Sequence, residues 1–95
     1  MRIAFILEGT RPGSDPERHF VAQTEEDDLG LEAQRQAFQH FADQTTVRGL
    51  EFTLSGSGLI VLQTPNENLT PDIVATIRRH ADIALESAIR DTGRS

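Results

Sequence analysis

The pattern that most constrains the fold is a β-hairpin over residues 49–63. Apolar and polar residues alternate along 49–55, as in a strand with one buried face. Residues 55–58, Ser-Gly-Ser-Gly, predict a turn, and residues 59–63 predict the returning strand. The second strand is apolar on both faces, so we expect neighbours to cover both. The chain must therefore build a sheet around this hairpin.

Two further strands are predicted near the N-terminus. Residues 2–8 alternate as a strand whose polar face is weak. Residues 9–17 are dense in glycine, proline and serine and predict a loop. Residues 18–23 then predict a second short strand that returns beside the first.

Helical patterns flank the hairpin. Residues 29–44 predict an amphipathic helix that follows the acidic run 25–28, in which Asp27 or Asp28 is a candidate N-cap. Its apolar side is predicted to comprise Leu31, Phe38, Phe41 and Ala42. A second helix is predicted to run from a Thr70 N-cap, with proline at the first helical position, to residue 90.

The element order predicts a single α+β domain over residues 1–95. We expect two layers in the order β(β)αββα, with a small antiparallel or mixed sheet and two helices packed on one face. Within it, residues 1–28 form an N-terminal extension, 29–90 a helix–hairpin–helix unit and 91–95 a tail.

Composition excludes several classes of site. The chain has no cysteine, so disulfides, thiolate zinc sites and cysteine nucleophiles are excluded. It has no tryptophan or tyrosine, so the core must rest on five phenylalanines and on aliphatic residues. No apolar run approaches the length of a membrane-spanning helix or a signal peptide, which predicts a cytoplasmic protein.

The formal net charge of −6 disfavours direct nucleic-acid binding. All nine basic residues are arginines, and only Arg78 and Arg79 form a local patch. An acidic surface keeps a protein soluble, and it also suits basic partners or imitates DNA.

No pattern favours catalysis. The three histidines lack the spacing of a metal site, and no serine or carboxylate pair has evident catalytic partners. We therefore expect a non-enzymatic protein without cofactor or metal. Gln34, Gln36, Gln39 and Gln44 predict an uncharged polar helix face, either solvated or an interface.

The order helix, Arg48–Leu54, Ser-Gly-Ser-Gly turn, Leu59–Leu62 and the helix start Leu69-Thr70-Pro71-Asp72 resembles the TubC-type N-terminal docking domain. The resemblance covers about residues 31–90, and the added segment 1–28 departs from it. It implies a homodimeric docking module that captures a partner protein's segment by adding it to the hairpin. The partner-binding residues it implies are Leu50, Glu51, Phe52, Thr53, Leu59, Val61, Arg78 and Arg79.

Two alternatives remain from the sequence. One is an acidic protein of a phage or mobile element that inhibits or assists a nucleic-acid enzyme. The other is a small ligand-binding protein or enzyme with a site at a subunit interface. We also expect residues 2–8 to pair with the hairpin edge and to occupy the place of a partner strand.

Overall fold

A computed structural model describes residues 1–11, 13, 15 and 17–92. Four strands and two long helices follow one another, with a 3₁₀ turn before the last helix. The elements are β1 (Ala4–Thr10), β2 (Glu17–Gln23), α1 (Leu31–Gln44), β3 (Glu51–Leu54), β4 (Leu59–Pro65), the turn Asn66–Asn68 and α2 (Pro71–Asp91). The second short strand is thus confirmed, and the tail beyond residue 92 lies outside the described residues.

The four strands form one mixed sheet in the order β2-β1-β4-β3. The outer strands β2 and β3 pair antiparallel with β1 and β4, and the two central strands pair in parallel. Both helices pack on one face of this sheet, so the predicted two-layer α+β fold is confirmed.

The core lies between the helices and one face of the sheet. Phe5 of β1 packs against Phe41 of α1 with ring centroids 5.2 Å apart, and Phe52 of β3 contacts the rings of Phe38 and Phe41. The buried side of α2 is rich in small residues, Ala81, Ala84 and Ala88. The fully buried large side chains of this layer include Ile3, Leu7, Ile60, Leu62 and Ile77.

The fifth phenylalanine, Phe20, is not part of the core, contrary to expectation. Its side chain is 56% exposed because a β-bulge interrupts the pairing of β1 with β2. Phe5 pairs with Ala22 and Ile6 pairs with Phe20, so Val21 is the extra residue. The bulge turns both Val21 and Ala22 into the core and directs Phe20 to the opposite face of the sheet.

Strand β1 lies along β4, where we expected residues 2–8 to pair. The register joins Ala4 to Leu59 and continues to the end of both strands. The amide of Ala4 also donates a hydrogen bond to the Gly58 carbonyl (3.1 Å). Gly58 has a φ of +91°, and a Cβ there would overlap the backbone oxygen of Arg2. Only glycine therefore allows this close approach of the turn to the N-terminal strand.

Gln34 joins α1 to the end of the hairpin. Its Nε2 donates to the backbone oxygens of Ser55 (2.9 Å) and Leu59 (3.0 Å), and the residue is only 2% exposed. The prediction that Gln34 belongs to a uniformly polar helix face was therefore wrong. Gln44 also bonds within the fold, to the His80 backbone oxygen (3.0 Å).

The two helix starts differ in how well the sequence predicted them. The Thr70 side chain accepts a hydrogen bond from the Ile73 amide (3.2 Å), which confirms it as the N-cap of α2. The first helix instead begins at Leu31 with Gly30 as N-cap, and no side chain within residues 17–92 caps it. Capping by Asp27 or Asp28 was thus wrong, and Leu31 is 61% exposed rather than buried.

Candidate interaction surfaces

The structure divides the predicted partner-binding residues of the hairpin between two surfaces. Leu50 and Phe52 are half-buried and pack against the core. Glu51 and Thr53 alternate with Phe52 along β3 and are exposed, so they belong to the face turned away from the helices. On β4, Leu59 and Val61 belong to the same face and are half-buried.

Arg78 and Arg79 belong to α2 and not to the hairpin. Both are exposed on α2, and Arg78 donates a hydrogen bond to the Phe20 backbone oxygen on β2 (3.4 Å). The strand β2 forms one edge of the sheet and β3 forms the other. The structure therefore does not bring these arginines together with Glu51 and Thr53 in one site.

The face of the sheet turned away from the helices, which we call the open sheet face, is a regular grid of side chains. Both helices pack on the opposite face, so within the described residues the cover expected on this side of β4 is not supplied by any helix or strand. From β2 to β3 the strand register places Arg18, Glu8, Gln63 and Glu51 in a polar row. The next row holds Phe20, Ile6, Val61 and Thr53, and the third holds Gln23, Ala4 and Leu59.

The polar row is held together by a buried carboxylate. Glu8 is only 4% exposed, and its two oxygens accept hydrogen bonds from Arg18 Nε and from Gln63 Nε2 (2.8 Å). The Arg18 side chain itself is largely exposed. Its contact with Glu8 fixes the direction of the arginine while leaving the other guanidinium nitrogens directed to solvent.

A second candidate surface is the outer edge of β3. The inner edge pairs with β4, and no strand of the described chain pairs with the outer edge. A shallow groove of about 370 Å³ lies beside it, between the end of β3 and α1. The groove is lined by Glu32, Arg35, Gln36, Phe38, Gln39 and Leu54. Sequence patterns missed it because Phe38 and Leu54 both resemble ordinary core positions.

A third candidate surface is an acidic groove between the segment after β2 and the outer side of α2. Leu85 and Ile89 contribute apolar surface to a volume of about 340 Å³. Four carboxylates line the same groove, from Glu25, Glu26, Asp82 and Glu86. The first half of the predicted acidic run, Glu25 and Glu26, therefore lies beside acidic residues of α2.

His80 lies between the helices without a partner for one ring nitrogen. Its Nδ1 is buried and has no hydrogen-bond partner within the described residues. Its ring meets the edge of Phe41 with centroids 6.4 Å apart. Burial and, after it, the positive charge of Arg79 lower the pKa of His80 below its usual value of 6.5.

We expect His80 to make the fold less stable in acid. Because its pKa is lower in the folded than in the unfolded chain, the unfolded chain binds the proton better, and stability falls as the pH drops below 6.5. Replacement His80→Gln should remove this part of the pH dependence, as measured by urea unfolding between pH 7 and pH 5. The matched control is His19→Gln on the exposed strand β2. Equal pH profiles for wild type and His80→Gln would contradict the expectation.

The described residues contain neither a candidate metal site nor a helix that could cross a membrane. No group of three or more His, Asp or Glu side chains is placed to hold a metal ion. None of the described helices is long and apolar enough to cross a membrane.

Comparisons of the chain with models of protein families, with curated proteins and with solved structures found no match.

Proposed function

We propose that the chain is a non-catalytic docking module, working as a homodimer, that captures an extended segment of a partner protein at the outer edge of β3. The observation that carries this proposal is the unpaired edge of β3 beside the groove on α1. The resemblance to docking domains implies an added strand at the hairpin, and the β4 edge of that hairpin is occupied by β1. Only the β3 side of the hairpin remains for an added strand.

The backbone of β3 has amides and carbonyls that point away from β4, where an added strand would lie. The Ser55 amide donates to the Leu59 oxygen, and Thr53 pairs with Val61 in the same register. Because directions alternate along a strand, the amides and carbonyls of Phe52 and Leu54 point away from β4. An extended segment beside β3 would satisfy them, which is the usual basis of strand addition.

The groove supplies selectivity for the side chains of such a segment. Every second side chain of an added strand would point toward the helix layer, next to Leu54 and Phe38. The rim carries both a carboxylate and a guanidinium, from Glu32 and Arg35, whose charged groups lie 3.9 Å apart. We therefore infer a segment with an aliphatic residue flanked by polar residues.

The test uses peptides selected from a random phage-displayed library on the immobilised chain. We expect selected peptides to share one aliphatic position, and a synthetic peptide of that sequence to slow hydrogen exchange at the amides of Phe52 and Leu54. Replacement Leu54→Pro removes one outward amide and should weaken peptide binding by at least about tenfold. Titration calorimetry measures the affinity.

The matched control is Leu54→Ala, which shortens the side chain but keeps the amide. Its loss of affinity should be clearly smaller than that of Leu54→Pro, provided both variants retain the circular dichroism of the parent. Equal losses, or unchanged hydrogen exchange at Phe52 and Leu54 with peptide bound, would refute strand addition at β3.

The acidic groove supports a second candidate function, binding of a basic surface on a nucleic-acid enzyme. Four carboxylates converge there around apolar side chains, on a chain of net charge −6. Electrostatic association of this kind weakens with salt. Salt-sensitive binding of such an enzyme that is unaffected by Leu54→Pro and lost in Glu86→Lys would favour this function over the first.

A further inference from the structure

We propose that a second copy of the chain covers the open sheet face, with a two-fold axis that runs parallel to the strands between β1 and β4. This inference rests on the homodimer of the proposed function and assigns it a surface. It does not depend on strand capture at β3, since the two surfaces use different residues.

The apolar centre of the open sheet face needs a cover that the described chain does not provide. Phe20 is 56% exposed in the middle row, and Ile6 and Val61 beside it are only half-buried. Leu59 extends this apolar strip into the third row. A contiguous apolar strip with a polar row on one side is typical of a protein interface.

The polar row is complementary to itself. Arg18 pairs with Glu8 through its Nε, and its largely exposed guanidinium lies at the β2 end of the row, whereas the carboxylate of Glu51 lies at the β3 end. No ion pair joins Glu51 to any described residue. The two charged ends lie on opposite edges of the sheet.

A two-fold axis along the strands brings these ends together. Such an axis places the β2 edge of one copy over the β3 edge of the other. Each row of side chains then lies over the same row of the second copy. Arg18 then faces the partner's Glu51, and Glu51 faces the partner's Arg18, so that two ion pairs form at once. Phe20 faces the partner's Thr53. Near the axis, Ile6 faces the partner's Val61. The strands of the two sheets stay aligned, as in common sheet-on-sheet packing.

The size of the face indicates a weak dimer. Four strands and about six residues along each give roughly 400 Å² of footprint on each copy. The two copies together would bury about 800 Å², below the roughly 1,200–2,000 Å² of a standard interface and within the range of weak, transient association. We therefore expect dimerisation to depend on concentration over the micromolar to millimolar range.

Sedimentation equilibrium of the full chain across a concentration series tests the surface. Phe20→Thr keeps a strand-forming residue but removes the ring, and should raise the dimer dissociation constant by at least about tenfold. Glu51→Lys places like charges opposite each other at both symmetric Arg18 contacts and should raise the dissociation constant about tenfold.

The controls are Leu31→Thr, an equally exposed apolar residue on α1, and Glu25→Lys, the same charge change away from the face. Both controls should change the constant by less than about threefold.

Cross-linking tests the direction of the axis. Because the chain has no cysteine, Phe20→Cys and Thr53→Cys introduce single reactive sites. The proposed dimer places residue 20 about 10 Å from residue 53 of the partner, but about 17 Å from the partner's residue 20. At concentrations well above the dissociation constant measured for Phe20→Thr, a short bis-maleimide should therefore link a mixture of the two variants and leave each variant alone largely unlinked.

A wild-type chain that is monomeric up to millimolar concentration overturns the proposal. So does a dimer that both Phe20→Thr and Glu51→Lys leave intact, or one in which Phe20→Cys links to itself. Peptide capture that is sensitive to Leu54→Pro would survive any of these results, which keeps failure of the dimer distinct from failure of the docking function.

Discussion

Replacement of Gly58 by alanine is expected to lower the free energy of unfolding by about 3 kcal/mol or more. The φ of +91° is unfavourable for any residue with a Cβ, and that Cβ would overlap the backbone oxygen of Arg2. Backbone atoms cannot rotate away as a long side chain can. Relief requires the turn to separate from β1, which breaks the hydrogen bond between Ala4 and Gly58 at the start of the central pairing. Urea unfolding followed by circular dichroism measures the loss.

The control lies two residues away in the same turn. A Cβ at Gly56 would meet no atom within 4 Å, and Gly56 has no positive φ. Gly56→Ala should change stability by less than about 0.5 kcal/mol. If the two variants were equally stable, the close approach of the turn to β1 would be wrong.

The second large effect is expected from Gln34→Glu. The replacement keeps the size of the side chain, but a carboxylate oxygen takes the place of the amide nitrogen that donates to Ser55 and Leu59. Both carbonyl oxygens would then face an acceptor. The site is almost fully buried, and a buried charge without a partner is strongly unfavourable. We expect a loss of about 3 kcal/mol at pH 7.

Acidification should restore part of this loss. Protonation returns a donor to the introduced carboxyl group, so the difference from the wild type should shrink as the pH falls from 7 to 4.5. The control is Gln39→Glu, an exposed position on the same helix, where a change below about 0.5 kcal/mol is expected. A constant difference across pH would contradict the bonding assigned to Gln34.

Local sequence patterns were sufficient for most of the elements. The alternation over 49–55, the Ser-Gly-Ser-Gly turn and the apolar run 59–63 predicted β3 and β4, because strand periodicity and turn chemistry act over a few residues. Thr70 and Pro71 likewise predicted where α2 begins. These signals do not depend on which other elements pack nearby.

Features set by tertiary contacts were missed. Phe20 appeared to be a core residue, because the extra residue at Val21 that reverses its side has no local signature. Gln34 appeared solvated among other glutamines, because its bonding to the hairpin depends on how α1 lies across the sheet. Leu31 has the spacing of the apolar side of α1, but it lies in the first turn of the helix and does not reach the core.

The candidate sites were predicted less well than the fold. The hairpin residues Glu51, Thr53, Leu59 and Val61 do share one face, as alternation requires. Arg78 and Arg79 were grouped with them on resemblance alone, and the contact of Arg78 with β2, together with the strand order, places Arg78 toward the other edge of the sheet. Arg18 and Glu8 became a pair only once the register of β1 and β2 was known.

The central place of β1 in the sheet also bears on how the chain folds. Its parallel partner β4 lies some fifty-five residues later, from Ala4 to Leu59, whereas each outer strand pairs with a near neighbour in sequence. The two antiparallel pairs can form early from local contacts, but their joining closes a long loop and should limit the rate of folding. During synthesis the β1–β2 pair would keep the other edge of β1 unpaired until β4 leaves the ribosome. An unpaired strand edge favours aggregation, so we expect the risk of aggregation to be highest in this interval.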